Sequence, residues 1–514
     1  MQLKTLMFWG GIAMVTLGVL THLPEFLMSA SRAYQLCGVN MDALMLFGVA
    51  LIGTGTIVSG MALIRPPVPG AEAKLATVAL SEPTEHGLTG SHWALMLTIV
   101  VALIIDVMKP ATLGFTVPGT MAEYGLTRQQ AAMLPLSGLT GTMLGSLIWG
   151  IAADRMGRRG AILLAAILFI GTSICGTMPT YAGNLVMCMM MGLSAGGMLP
   201  IAYTLLAETI PAKHRGWAIV LIGGAGVSGG FLASSLMASW LEPMFSWRAL
   251  WFVGLPTGVG LMLLNQFIPE SPGFLLLRGE VDEAKAVMQR YRMPPPASRK
   301  AVAPKLADWG NLSNWMTAAL VLSAVVWGLV NHGLMLWMPA ELRARGLSAA
   351  ASSQLLANGA MFAFPTAAIV AWMYHAWSTK WTLVTTIVVM LIGLAGFPLL
   401  PAHLTTADNL PVILIALLLV GTSGTIAALL PFSAESYTIA VRGRATGVIA
   451  GATKLGGIAA QVLTIAALVP ALMTVAWGLL IPTVLGAVLV GRFGRETRER
   501  ELDGSVDLQA QGAD

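Results

Sequence analysis

Apolar residues in this chain come in long runs, separated by short polar connections. The runs fall at 5–28, 41–64, 93–118, 129–152, 160–178, 183–207, 216–240, 249–268, 313–338, 349–374, 381–400, 410–432, 444–468 and 471–491. A helix needs about 20 apolar residues to cross the hydrocarbon core, and these runs lack the period-two alternation of barrel strands. In lipid, each segment must satisfy its own backbone hydrogen bonds. The pattern therefore predicts an all-α membrane protein with fourteen transmembrane helices. The first run follows Lys4 and precedes small residues at 29–31, as a signal peptide would. It is longer than a signal core of about 7–15 residues and a second run soon follows, so it is read as a helix.

Composition narrows the class. Of 514 residues, 56% are hydrophobic and 10% charged, against about 25% charged in soluble proteins, which leaves no room for a soluble enzyme domain. Cys37, Cys175 and Cys188 are too scattered for a disulfide framework or a metal site. No GxxxxGK[ST] phosphate loop and no serine–histidine–carboxylate pattern is present. The sequence therefore calls for no catalysis, no cofactor and no metal. The formal charge of +5 does not point to nucleic acid, because the basic residues are spread among the connections. With the N-terminus inside, the outer connections hold only Arg32, Arg128, Arg248, Arg343 and Arg345. The positive-inside rule then places both termini in the cytoplasm, and the reading is a multi-pass protein of a bacterial inner membrane.

The expected organisation is an extra helix pair (1–64), a linker (65–92), a six-helix bundle (93–268), a cytoplasmic linker (269–312), a second six-helix bundle (313–491) and a cytoplasmic tail (492–514). In the second linker, Val281, Ala284, Val287 and Met288 recur at helical spacing before three prolines, which predicts a short amphipathic helix. The halves echo each other. Glu208 precedes Arg215-Gly216 by seven residues, and Glu435 precedes Arg442-Gly443 by the same spacing, each at the end of the fourth helix of its half. Such duplication places a substrate site between the repeats, near mid-membrane.

Gly150-x-x-x-Asp154-Arg155-x-Gly157-Arg158-Arg159 and Pro269-Glu270-Ser271-Pro272, followed by Phe274 to Gly279, carry a resemblance. From about residue 90 to 495 the chain resembles the major facilitator superfamily of secondary transporters, and is similar to its sugar-porter-like and organic-anion branch. The resemblance implies twelve helices in two bundles working by alternating access, with the first two helices additional; these pack on the core, recruit a partner or aid insertion. It also implies a cytoplasmic gate, in which Asp154, Arg155, Arg158 and Arg159 engage Glu208, Glu270 and Glu435, with Arg215 and Arg442, and release them as the cavity opens inward. The chain departs from the family pattern in three places. Cys188 stands where the fourth-helix motif carries arginine, the fifth helix lacks the proline of drug antiporters, and the second half keeps only Lys380 of the latch motif.

An ionisable group in mid-membrane costs about 2.5–3.5 kcal/mol on insertion scales and is a functional candidate by default. Asp106 and Lys109, three residues apart, share a helix face beside Pro110. Asp106 is read as a proton carrier switched by Lys109, against the alternative of a static ion pair. Lys454 is read as an anchor for an anion, against a lysine snorkelling to the interface. Asn331, His332, Asn358 and Gln461 are candidate hydrogen-bonding groups, and Trp327, Trp337 and Phe362 candidate walls. Two amines against one acid favour an anionic small molecule. The leading reading is proton-coupled symport of a carboxylic or aromatic acid, with protons and the bilayer as the other partners and no nucleic acid. The alternatives are a proton-coupled exporter of drugs or metabolites, and a non-transporting sensor or partner subunit.

Overall fold

The computed structural model describes residues 2–64, 78–79, 87–294, 297–298, 315–401, 403–404, 409–437, 439–468 and 472–497. Among them, fourteen helices are long and apolar enough to cross a membrane. The extra pair is α1 (Gln2–Arg32) and α2 (Ala43–Leu63). The first bundle is α3 (Gly90–Tyr124), α4 (Arg128–Met156), α5 (Arg158–Thr177), α6 (Tyr181–Thr209), α7 (Ala212–Phe245) and α8 (Ala249–Phe267). The linker contributes the short helix α9 (Val281–Arg290). The second bundle is α10 (Trp315–Ala344), α11 (Ala349–Ala376), α12 (Thr379–Leu399), α13 (Asn409–Ser436), α14 (Arg444–Ile465) and α15 (Thr474–Phe493). Among the described residues the only strand pairing is the two-residue antiparallel match of Val78–Ala79 with Ala297–Ser298.

Helix starts follow from capping chemistry. The side chains of Thr180, Ser348 and Ser378 accept the backbone N–H of Gly183, Ala351 and Trp381, starting α6, α11 and α12. Small residues then bring the helices together. Gly226 and Gly230 of α7 lie against Leu103 and Val107 of α3, where a Cβ would come within 2.7 Å. Gly328 of α10 meets the Thr453 carbonyl of α14. The two bundles meet chiefly where α7 packs on α11 and α13, and where α4 faces α14.

The extra pair packs on α5. Val15, Val19, Ile167, Ile170 and Ile174 are buried together, with Ile52 against them. As a result 83% of the membrane window of α5 is buried, against 44% for α12, its counterpart in the second half. The hairpin loop is pinned as well. The N–H groups of Leu36 and Cys37 donate to Glu123 Oε1 at 2.8 and 3.0 Å, and Glu123 is paired with the fully buried Arg248 at 2.7 Å. The predicted amphipathic helix is α9, which docks under the first bundle through Ala284 and Met288, with Tyr291 edge-on to His92. Most of the expected 65–92 tie and residues 498–514 lie outside the described residues. The expected tail begins as structure: α15 runs to Phe493, and Glu496 and Thr497 fold back onto α12.

Candidate functional site

Asp106 sits in α3 of the first half, 6% exposed. Pro110, one turn later within the same helix, has no N–H to give the Asp106 carbonyl, which weakens the helix beside the acid. Across the seam, on α14 of the second half, stands the part-buried Lys454. Each of these opposite charges acts on the other, yet among the described residues neither forms an ion pair or a hydrogen bond. The two groups, one on each half, make up a polar jaw across the seam.

The jaw's second-half wall is irregular. Leu329–Met335 of α10 is a π-helical segment, a widened turn frequent at functional sites. It carries Asn331 and His332, both part-buried. The His332 ring meets Trp327 edge-to-face at 5.5 Å, lies over Gly457 and feels the Lys454 charge. Its Nε2 is buried without a partner among the described residues. Trp327 is turned by donating its indole N–H to the Thr422 carbonyl of α13 at 2.7 Å.

The structure gives four of the expected site residues particular surroundings. Lys109 shares the broad face of Asp106 but is offset by about 60° at 100° per residue, enough to turn it toward α5. Its ammonium donates to the Phe169 carbonyl and, at 2.6 Å, to Thr172 Oγ1, and stands 4.2 Å over the Phe169 ring. It straps α3 to α5 inside the first half and does not pair with Asp106. Asn358 accepts from Gln354 on an exposed stripe of α11 that includes Met361, Phe362 and Trp372. Trp337 and Gln461 are buried and bonded to each other: the indole N–H donates to Gln461 Oε1 at 3.3 Å, and Gln461 Nε2 donates to the His332 carbonyl at 2.6 Å.

The two ends of the seam differ. At the far end, where α3 finishes and α4 begins, the halves are tied. Arg343 of α10 binds both oxygens of Glu242 of α7, at 2.8 and 2.7 Å. The Arg128 guanidinium of α4 covers the Trp337 ring at 4.9 Å, and Gly114 of α3 abuts the Leu336 carbonyl. At the opposite, latch end the α4 side is released. The Asp154 side chain is 78% exposed, and among the described residues its ion pair is with Arg158 of its own half, at 3.8 Å. A cavity of about 260 Å³ opens between α4 and α6, lined by Ser146, Gly150, Asp154, Arg158, Pro200 and Thr204. Gly447 and Gly451 of α14 have nothing packed against them.

The latch charges are arranged within each half more than across them. Arg158 reaches Glu208 at 3.4 Å. Glu270 Oε1 accepts the backbone N–H of Arg158 at 2.7 Å and that of Arg159 at 3.4 Å, where the helix N-terminus favours a carboxylate. Gly157, with φ +89°, makes room for it. Arg155 is exposed, and its carbonyl accepts from Arg278. In the second half, Glu435 accepts from Tyr374 and Thr497, both at 2.7 Å, in place of an arginine. The charge of Arg215 acts on Glu435 across the seam. The Arg442 side chain lies outside the described residues.

Sequence reasoning missed several members. Glu496 caps α12 through the Thr379 N–H at 3.0 Å, as Glu270 caps α5. A signal was present, since Glu496-Thr497 follows the last helix of its half as Glu270-Ser271 follows the last helix of the other. Nothing local marked Glu242, Arg128, or Tyr203, whose hydroxyl sits against Gly223.

Comparisons with known proteins bear on the arrangement. The Major Facilitator Superfamily matches residues 94–461. The niacin transporter NiaP of Acinetobacter baylyi is 25% identical over 390 residues, covering 72% of this chain and 86% of the relative. The gallate transporter of Pseudomonas putida is 29% identical over 284 residues, covering 50% of this chain and 60% of the relative. Among solved structures, the proton:xylose symporter XylE of E. coli, bound to 6-bromo-6-deoxy-D-glucose, matches with a TM-score of 0.64 at 16% identity, over 81% of this chain and 98% of that one. At that identity the likeness is one of fold.

Proposed function

We infer the function from one premise, that this chain belongs to the Major Facilitator Superfamily: it is a multi-pass membrane transporter, and it carries a small aromatic or carboxylic acid together with a proton across a bacterial inner membrane. The observation that carries this reading is the unpaired jaw, an acid on one half and an amine on the other. The named substrates of the two relatives, niacin and gallate, agree with an aromatic acid.

The coupling follows from counting charges. The Asp106 carboxylate and a substrate carboxylate compete for one ammonium, that of Lys454. A proton on Asp106 removes one competitor and frees Lys454 for the substrate. Once Asp106 loses its proton, it draws Lys454 back and the anion leaves. Proton and acid therefore travel together, and the proton gradient drives accumulation. The excess of Lys and Arg on the latch-end connections supports cytoplasmic termini. In that orientation the far end faces the periplasm, and this conformation is tied outside and parted inside along α4, while Gly216 of α7 stays against Glu435 and Tyr374.

The test is uptake of radiolabelled nicotinate and gallate into proteoliposomes under an imposed pH gradient. Asp106→Asn should abolish gradient-driven accumulation and spare counterflow exchange, while Lys454→Ala should abolish both. Equal loss of accumulation and exchange in Asp106→Asn would remove Asp106 from the coupling role.

A further inference from the structure

Gln461 is fully buried and spends both ends of its amide on α10. Its oxygen takes the indole N–H of Trp337, the ring that Arg128 of the first half covers when the far end is closed. Its nitrogen donates to the carbonyl of His332, whose ring meets Trp327 and feels the Lys454 charge. That carbonyl lies in the π-helical segment, where the regular i to i−4 ladder is interrupted. A continuous set of contacts thus runs from a cross-half seam to the wall of the jaw: guanidinium on indole, indole to amide, amide to backbone.

We propose that Gln461 is a positioning residue that makes closure of the far end and the shape of the acid-binding jaw depend on each other. With Arg128 seated, Trp337 is fixed, Gln461 is oriented, and the His332 turn is held where its ring faces Lys454. When Arg128 lifts away, the indole is free to turn, the amide loses its orientation, and the His332 carbonyl loses its donor. A jaw assembled in this way binds its acid differently in the two states, and differential binding is what lets a ligand shift the equilibrium. The proposal rests on reading Asp106, Lys454 and His332 as the substrate site, but its first test needs no substrate.

Leu336→Cys is introduced at the far-end seam of a Cys37→Ser protein, in which Cys175 and Cys188 are buried. The rate of labelling by a membrane-impermeant maleimide from the far side then reads opening, normalised to total labelling after denaturation. Arg128→Ala and Gln461→Ala should each raise that rate by about 3- to 10-fold, the loss of one or two net hydrogen-bond-sized contacts. The double variant should rise no further than the larger single change. Multiplicative effects, or no effect of Gln461→Ala, would overturn the proposal. In a second arm, Trp337→Phe keeps an aromatic ring under Arg128 and removes the indole N–H. It should raise the KM for nicotinate several-fold with little change in kcat, and an unchanged KM counts against the coupling. If the wild-type protein moves no aromatic acid, the substrate reading falls and takes the jaw side of the proposal with it, while the labelling cycle still decides the gate side.

Discussion

Replacing Arg343 by alanine should open the far end. In the closed seam the Glu242 side chain is 6% exposed and that of Arg343 19% exposed, and one guanidinium nitrogen contacts both carboxylate oxygens. Truncating one partner of a buried, hydrogen-bonded charge pair costs about 2–5 kcal/mol. Partial exposure of Arg343 places this pair near the lower limit, about 2 kcal/mol. The penalty falls on the closed state alone, since a parted seam lets Glu242 regain water. At about 1.4 kcal/mol per decade, the ratio of far-end-open to far-end-closed molecules should rise roughly thirtyfold. The assay is far-side maleimide labelling of Leu336→Cys in the Cys37→Ser protein, with Arg343→Ala and Glu242→Gln compared against the intact pair. Exchanging the charges, Glu242→Arg with Arg343→Glu, should return most of the lost closure. Labelling that stays at the wild-type rate in Arg343→Ala, or an exchanged pair as open as the single variants, would refute the reasoning.

Two further outcomes follow from particular contacts. Lys109→Met should keep gradient-driven uptake within about twofold of wild type, because the hydrogen bonds it removes run to the Phe169 carbonyl and Thr172 of α5 and not to Asp106; a loss like that of Asp106→Asn would return Lys109 to the coupling machinery. Gly157→Ala should destabilise the folded protein by about 1–3 kcal/mol, because φ is +89° and the new Cβ would fall 2.1 Å from Glu270 Oε2. A thermal unfolding scan in detergent should register this as a lower Tm, and an unchanged Tm would mean that Glu270 caps α5 from another position.

The sequence by itself determined the fourteen membrane helices, the duplicated halves, and Asp106 and Lys454 as charges with no ordinary place in a bilayer. These are properties of single segments, because the cost of placing a residue in hydrocarbon is paid position by position and adds along the chain. Tertiary structure alone decided which charges meet. Asp106 and Lys109 lie three residues apart, yet a modest rotation sends one to the seam and the other to the Phe169 carbonyl of α5. Glu242 and Arg343 are 101 positions apart, and Trp337 and Gln461 are 124 apart, yet each pair is in contact. Hydropathy gives each helix its depth in the membrane but hardly its rotation about its own axis. Rotation is set by close packing of glycine-notched surfaces contributed by distant segments, and it decides whether an asparagine such as Asn358 lies on an exposed stripe or faces the seam.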